Sequence, residues 1–267
     1  MNPNPPVVLA VAGTDSGGAA GLAADLATFA AHGTHGACVV TAITAQDTTG
    51  VRSIHVTPVQ MVADQIDAVL DDLPVAAVKT GMLGSPEVVR LVAERLAHLP
   101  LVVDPVLVAT SGAVLGDEAV RAAYVAHLLP VAHVITPNAG EAAALLGTDG
   151  APDVLAAALA DLGPSVVVTG GGTSGTCTDW LAVPGQAPVA LTHPALETRN
   201  DHGTGCTFSA ALAALLARDV PLPDAVRRAA AYTASQLALS KDWNLGRGRG
   251  PIAHTQPMPT HPIEENR

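Results

Sequence analysis

The chain has 267 residues, of which 49% are apolar and 2% aromatic, and its formal net charge is −11. This length can bury a full core, and the apolar content excludes a disordered chain. The acidic balance lacks the basic patches that nucleic acids and anionic membranes require, so we expect neither as a partner. No apolar run approaches the roughly 18 residues of a transmembrane helix, and the first residues lack a signal-peptide pattern.

Three cysteines are present, Cys38, Cys177 and Cys206. They lie far apart and form neither CxxC pairs nor a convincing disulfide framework, which favours a reducing, cytoplasmic location. No group of histidines and cysteines has the spacing of a zinc site.

Apolar, β-branched runs alternate with alanine-rich runs of helical period along most of the chain. They predict strands at 7–13, 37–44, 51–57, 76–81, 101–107, 133–137 and 165–171, and helices at 21–33, 58–73, 86–96, 117–129, from 138, 152–162, 205–218 and 223–240. Turn residues and alternation at 176–196 predict antiparallel edge strands. The segment from about residue 244 is rich in Gly, Pro and His, so we expect a loose tail.

Alternating strands and helices predict an α/β fold with an open, mostly parallel sheet covered by helices on both faces. Neither an internal repeat nor a long linker is visible, so we predict one domain over residues 1–267. Such sheets bind ligands outside the carboxyl ends of their strands. The loops that follow the strands are therefore the candidates for function.

The loop after the first strand reads GTDSGGAAG, from residue 13 to residue 21. A dinucleotide fingerprint would need glycine where Ser16 stands. A Walker loop needs lysine after glycine, and neither Lys79 nor Lys241 follows one. A tight turn that allows close helix packing is the alternative to a phosphate loop.

Two other strand ends carry acidic side chains. Asn138 and Glu141 have the spacing of a helix cap and its capping-box partner, and they are equally suited to organise a hydrated Mg²⁺. Asp104 ends a buried strand, where a charge needs a partner or a metal; a structural ion pair is the alternative.

The sequence HGTGC places Cys206 at the start of a helix, after two glycines. Gly203 and Gly205 let backbone N–H groups converge, and the helix N-terminus adds positive potential, so we expect an anion hole made without lysine. The same field is expected to lower the pKa of the thiol. A small, buried cysteine at a capped helix start is the structural alternative.

Six segments in order resemble one known family. They are AGTDSGGAAGLAADLATFAAHG, VVTAITAQDTTGV, VKTGMLG, VVDPVLVATSG, ITPNAGEAAALLG and TRNDHGTGCTFSAALAALLA. Together they resemble the hydroxymethylpyrimidine/phosphomethylpyrimidine kinases of thiamine biosynthesis, in the ribokinase-like superfamily. The resemblance implies a three-layer ribokinase-like fold and transfer of the ATP γ-phosphate to 4-amino-5-hydroxymethyl-2-methylpyrimidine and then to its monophosphate.

The resemblance also implies site residues and a Mg²⁺ cofactor, and we expect a homodimer, although the sequence does not give the oligomeric state. The aminopyrimidine would be held by Gly13, Asp25, Gln46 and Met82. The anion hole would comprise Gly203, Thr204, Gly205 and Cys206, with Cys206 standing where related sugar kinases carry a catalytic aspartate. ATP would face Asp104, Thr169 and Gly171, and Mg²⁺ would be held by Asn138 and Glu141.

The chain departs from the family pattern at several positions. Thr169 replaces a lysine, Asp201 replaces a threonine, and Gly246-Arg247-Gly248-Arg249-Gly250 replaces a glycine–histidine repeat. Two other functions stay open at this point. A pyridoxal kinase of the same superfamily would accept a pyridine alcohol, and a non-catalytic protein would bind the pyrimidine without consuming ATP.

Overall fold

The computed structural model describes residues 4–107, 115–170 and 175–255. Within these ranges the chain forms one nine-stranded sheet in the order β3-β2-β1-β4-β5-β6-β7-β8-β9. The strands are β1 Val7–Gly13, β2 His35–Asp47, β3 Gly50–Val56, β4 Val75–Thr80, β5 Leu101–Val103, β6 Val134–Ile135, β7 Ser165–Val168, β8 Thr176–Ala182 and β9 Val189–Pro194.

Six central strands are parallel to one another. At the edges, β3 pairs antiparallel with β2, β8 pairs antiparallel with β7, and β9 pairs antiparallel with β8. The predicted α/β sheet with antiparallel edge strands is confirmed. Strands β5 and β6 end earlier than predicted, because Pro105 and Pro137 lack the N–H groups that would extend them. Strand β7 also ends earlier than predicted, at Val168.

The helices are α1 Gly21–Ala31, α2 Val59–Leu70, α3 Pro86–Leu96, α4 Glu118–Ala123, α5 Ala139–Leu146, α6 Pro152–Ala160, α7 Thr204–Leu216 and α8 Leu222–Ser240. The single helix predicted for 117–129 is instead α4 followed by a π-helical turn and a 3-10 turn that contains Pro130. In the π-helical turn, the fully buried Tyr124 donates from its hydroxyl to the carbonyl of Gly81, 3.2 Å away.

Alternate residues of the parallel strands face two separate cores. Leu9 and Val11 pack on the side of α2 to α6, whereas Val8 and Ala10 pack on the side of α1, α7 and α8. Both faces are buried, which explains why these strands read as continuous apolar runs. No helix within the described ranges combines the length and the apolar character needed to cross a membrane.

Helix α7 is buried along most of its length, and this governs the position of its first turn. All residues from 207 to 215 are buried. Four of these residues are alanines, at 210, 211, 213 and 214, and all four are completely buried. Such small side chains let the helix lie close to the sheet, which brings its N-terminus to the carboxyl ends of the central strands.

The prediction of a loose tail from about residue 244 is wrong for its inner part. Pro251 forms a parallel bridge with His202, and Ile252 and Ala253 are at most 1% exposed. The amide side chain of Asn200 fixes the start of the tail by donating to the carbonyls of Ser240 and Trp243. The tail is thus part of the wall beside α7. The single-domain organisation stays a prediction.

Candidate active site

A cleft of about 780 Å³ opens at the carboxyl ends of the parallel strands. It extends from the end of β1 across β4 and β5 to the end of β7, and the first turn of α7 forms one wall. Eleven of the residues expected at a site line it: Gly13, Gln46, Met82, Asp104, Asn138, Glu141, Thr169, Gly203, Thr204, Gly205 and Cys206.

Two expected site residues are not found in this lining. Asp25 is fully buried beneath the cleft, where it pairs with Lys79, and its expected place in the pyrimidine pocket stays a prediction. Gly171 lies outside the described residues.

The first turn of α7 has the geometry of an anion site. Gly203 caps the helix in the left-handed conformation (φ +93°), and a methyl group there would overlap the carbonyl oxygen of Ala19. The backbone N–H groups of Gly205 and Cys206 have no acceptor among the described residues. These two N–H groups and the helix dipole therefore direct positive potential into the cleft.

A buried ammonium lies beside this turn. Lys79 Nζ is 2.8 Å from Asp25 Oδ1 and 3.9 Å from Asp104 Oδ2. Although burial disfavours the charged ammonium, these acidic neighbours together with Cys206 raise the pKa of Lys79 above its usual range. Lys79 remains protonated and lines the same cleft, but it is fully buried and paired with Asp25, so the anion hole made without lysine stays a prediction.

The carboxyl of Asp25 completes this charge cluster. Burial raises the pKa of Asp25 to about 6, while Lys79 opposes that rise. Its Oδ2 has no hydrogen-bond partner within the described part of the chain. Removing either member of such a buried pair leaves an uncompensated charge, so Asp25 positions Lys79 and keeps it charged.

The thiol of Cys206 does not have the lowered pKa that its place at a helix N-terminus suggested. Burial raises the pKa of Cys206 to about 12, and Asp104 and Asp25 add to the rise, while Lys79 opposes it. The helix field is outweighed because the thiol lies in a poorly solvated site with two carboxylates nearby. Cys206 is therefore a neutral thiol at neutral pH.

The glycine-rich loop after β1 is a tight turn around a carboxylate. Asp15 accepts from the N–H groups of Gly17, Ala19 and Ala20 at distances of 2.8 to 3.1 Å. Although burial opposes the change, the hydrogen bond from His202 and those backbone bonds lower the pKa of Asp15. These amides are consequently unavailable to a phosphate, which favours the packing interpretation of this loop.

The side chain of Gln46 lies against the imidazole that contacts this carboxylate. Gln46 Nε2 lies 3.2 Å from His202 Nε2, and His202 Nε2 lies 3.2 Å from Asp15 Oδ2. Both His202 and Asp15 are buried. The amide of Gln46 is thus positioned at the end of the cleft formed by β1 and β2, opposite the charged end near Glu141.

Asn138 and Glu141 form a complete capping box at the start of α5. Asn138 Oδ1 accepts from Glu141 N–H, and Glu141 Oε2 accepts from Asn138 N–H, each at 3.0 Å. Burial, with repulsion from Asp104, raises the pKa of Glu141 to about 8. Two mutually repelling carboxylates that line one cleft suit a divalent cation, which would relieve the repulsion.

Four residues at or beneath the cleft had no assigned role in the sequence: Asp15, Lys79, His202 and Ser209. Lys79 carried the clearest signal, because a lysine in an apolar strand must find acidic partners. Ser209 donates to Asp104 Oδ2 at 3.0 Å from the second turn of α7. Asp15 and His202 are 187 residues apart in the chain and contact each other only in the folded structure, so no local pattern predicts their contact.

A protein-family model described as phosphomethylpyrimidine kinase matches residues 15–253. The chain belongs to the phosphomethylpyrimidine kinase family. The hydroxymethylpyrimidine/phosphomethylpyrimidine kinase of Rhizobium meliloti is 46% identical over 257 residues, covering 93% of this chain and 96% of that protein.

Two solved structures have folds similar to that of this chain. The phosphomethylpyrimidine kinase of Clostridium difficile has a TM-score of 0.74 and 34% identity, covering 86% of this chain and 98% of that one. The pyridoxal kinase of Staphylococcus aureus, solved with AMP-PCP and pyridoxal, has a TM-score of 0.83 and 31% identity, covering 94% and 93%. As a phosphomethylpyrimidine kinase family member, the chain is a phosphotransferase with a ribokinase-like fold.

Two residues that depart from the pattern of the phosphomethylpyrimidine kinase family contact each other. Arg249 Nε donates to Asp201 Oδ1 at 2.8 Å, and a second guanidinium nitrogen pairs with Oδ2. Both residues line the cleft. The tail is thereby linked to the turn that precedes α7. A third departure, Thr169, leaves its end of the cleft with a hydroxyl, whose Oγ lies 3.5 Å from the carbonyl oxygen of Pro137.

The two glycines at the start of α7 should respond differently to alanine. A methyl at 205 would meet only Asp104 Oδ2, at 3.9 Å, and would otherwise project into the cleft. We expect Gly205→Ala to fold normally but to lose roughly 10²-fold in kcat/KM, because the methyl group would obstruct the approach of an anion to the N–H groups of this turn. Gly203→Ala should lower the free energy of unfolding by at least about 1–2 kcal/mol because of its left-handed backbone.

Urea unfolding and steady-state kinetics on both variants measure these effects. Normal kinetics for folded Gly205→Ala would contradict an anion site at this turn.

The raised pKa of Cys206 predicts slow alkylation. The thiolate is the nucleophile, and its fraction rises about tenfold per pH unit below the pKa. The iodoacetamide rate at Cys206, followed by peptide mapping between pH 7 and pH 9, should therefore rise throughout without a plateau. A plateau near pH 7 would show that the helix field does lower this pKa.

Proposed function

We propose that this chain transfers the γ-phosphate of ATP to hydroxymethylpyrimidine and then to its monophosphate. The observation that carries the proposal is the combination of two groups in one cleft. An amide side chain, Gln46, lies at one end, and an anion site of two unpartnered N–H groups lies beside a buried ammonium. The names of the relatives, hydroxymethylpyrimidine/phosphomethylpyrimidine kinases, support the same substrates.

Gln46 is proposed to recognise the aminopyrimidine. Its amide offers a donor and an acceptor, which match a ring nitrogen and the exocyclic amine of the substrate. The contact with the buried His202 restricts this side chain, so less side-chain entropy is lost on binding. Gly13 and Met82 line the same end of the cleft and would contact the apolar faces of the ring.

The N–H groups of Gly205 and Cys206, together with Lys79, are proposed to stabilise the transferred phosphoryl group. The hydroxyl oxygen of the substrate attacks the γ-phosphorus, the bond to the β–γ bridging oxygen breaks, and ADP leaves. The hydroxyl proton passes to an oxygen of the transferred phosphoryl group and from there to solvent. Phosphoryl transfer passes through a loose transition state, so positioning and charge stabilisation contribute more than a strong base. This fits a neutral Cys206, whose contribution comes from its backbone N–H.

The second transfer uses the same groups. The nucleophile is then a phosphate oxygen of the monophosphate, which is already ionised and needs no base. Lys79 and the two N–H groups would offset the additional negative charge. One anion site therefore serves both transfers without any change in the protein.

Mg²⁺ and ATP complete the proposal. Asp104 and Glu141 would hold the cation, because their carboxylates line the cleft and raise each other's energy, whereas the side-chain oxygen of Asn138 is occupied in the capping box. The cation would supply charge neutralisation for the phosphates of ATP. Thr169 and Gly170, at the end of β7, would face the nucleotide, and AMP-PCP and ADP complexes of related pyridoxal kinases support nucleotide binding.

Pyridoxal is a second candidate substrate. Several structures that match with TM-scores of 0.83 to 0.84 are pyridoxal kinases. A pyridine alcohol offers no exocyclic amine to Gln46, so it would bind less well if that amide reads the ring. A cytoplasmic location is also proposed, and the three free cysteines support it.

The kinase proposal is tested by ADP release with hydroxymethylpyrimidine, its monophosphate and pyridoxal. We expect turnover of both pyrimidines with a kcat/KM at least about tenfold above that of pyridoxal, the equivalent of one hydrogen bond. Gln46→Ala should raise KM for the pyrimidine at least about tenfold and leave KM for ATP unchanged. Gln60→Ala, an exposed glutamine on α2, is the matched control.

Each outcome of this assay distinguishes the candidates. A higher kcat/KM for pyridoxal would replace the pyrimidine proposal with the pyridoxal one. ADP release with none of the three substrates would overturn both. Equal losses in Gln46→Ala and Gln60→Ala would remove Gln46 from ring recognition.

A homodimer is proposed from the free edge of the sheet. The edge strand β3 exposes Ile54 and Val56 at 40% and 41%, and Ile43, Val59 and Met61 are also exposed nearby in the chain. Apolar edge strands of this kind favour pairing with another chain. Sedimentation equilibrium at micromolar concentration should give a dimer, and Ile54→Asp should give a monomer. A monomeric parent chain would contradict the proposal.

A further inference from the structure

A cluster of potential metal ligands lies on the outer hairpin, away from the residues proposed to bind the pyrimidine. Strands β8 and β9 are antiparallel, and Cys177 lies directly opposite His193. Asp179 is two residues further along β8, so it shares a sheet face with Cys177. Cys177 Sγ, a carboxylate oxygen of Asp179 and a ring nitrogen of His193 all lie within 4.8 Å of one another.

We propose that Cys177, Asp179 and His193 form a Zn²⁺ site. A thiolate, an imidazole and a carboxylate are all established zinc ligands, and three protein ligands leave a fourth position for water. Sulfur and nitrogen donors favour Zn²⁺ over Mg²⁺, so the site is chemically distinct from the carboxylates of the cleft. Binding requires Cys177 to release its thiol proton to solvent.

The burial of the three side chains suits an ion that enters from one side. Cys177 and Asp179 are buried, with 6% and 4% exposure, while the side chain of His193 is 28% exposed. His193 Nε2 is already 3.2 Å from Asp179 Oδ2. A zinc ion would replace this hydrogen bond with two coordination bonds, and the partly exposed imidazole gives it a path from solvent.

The cluster is connected to the cleft through a single residue, Gly170. Cys177 Sγ donates to the carbonyl of Gly170 at 2.9 Å, and Gly170 N–H donates to Asp179 Oδ1 at 2.8 Å. Gly170 itself lines the cleft. Zinc binding would remove the thiol donor from this carbonyl. If Gly170 faces ATP, as the proposed function holds, zinc occupancy changes KM for ATP while KM for the pyrimidine stays constant.

Metal binding is tested on the whole chain after chelator treatment, with Co²⁺ as the spectroscopic probe. One equivalent of Co²⁺ should give the visible bands of a tetrahedral ion and a thiolate-to-cobalt absorption, both abolished by Zn²⁺. His193→Ala should weaken Co²⁺ binding by more than the roughly 10–100-fold that loss of an outer-shell partner costs. Cys177→Ser should abolish the thiolate absorption. Circular dichroism confirms that each variant is folded.

Three control variants separate this site from other metal ligands. Cys38→Ser and His98→Ala alter exposed residues outside the cluster and should leave the cobalt spectrum unchanged. Loss of the thiolate absorption in Cys206→Ser, with its retention in Cys177→Ser, would place the metal in the cleft and overturn the proposal. Unchanged binding in folded His193→Ala would also overturn it. Metal binding is measured without substrate, so the absence of kinase activity would not change the interpretation of this experiment.

Discussion

The site depends on the ion pairing of Lys79. Its ammonium is fully buried between α1, β4 and the start of α7, where a charge is tolerated only with close acidic partners. Asp25 supplies that partner from below, and Asp104 supplies a second carboxylate from β5. The same arrangement explains why the thiol of Cys206 stays protonated. Burial is the main cause of the raised pKa of Cys206, and the two carboxylates that pair with the lysine add to it.

Two glycine-rich turns lie near each other. The turn at α7 has backbone N–H groups that lack an acceptor within the described part of the chain. In the loop after β1, the carboxylate of Asp15 accepts from three backbone N–H groups and leaves none of those three for a ligand. At α7, the N–H groups of Gly205 and Cys206 have no acceptor among the residues described. Glycine content therefore does not identify an anion site; the presence or absence of a neighbouring acceptor decides it. Asp15 also contacts His202, whose ring lies against the side chain of Gln46.

The departures from the family pattern are connected with one another in the structure. Asp201 and Arg249 each look like an isolated substitution in the sequence, yet they form a two-point ion pair that links the tail to α7. At the other end of the cleft, Thr169 replaces a cation while Lys79 lies deeper in the same cleft. The ammonium that lies near the first turn of α7 is thus fully buried and paired with Asp25.

The sequence by itself determined the order and type of most elements, because strand and helix periodicities are local properties. The α/β sheet, its antiparallel edges and the helix 86–96 follow from those patterns, and the family motifs identified the cleft residues. The tertiary structure decided the roles of Asp25 and Lys79, the pKa of Cys206 and the packing of residues 250–253. It also assembled Cys177, Asp179 and His193 from two strands whose register the sequence does not show. Burial and charge pairing depend on residues that are distant in the chain, so they become defined only once the sheet has formed.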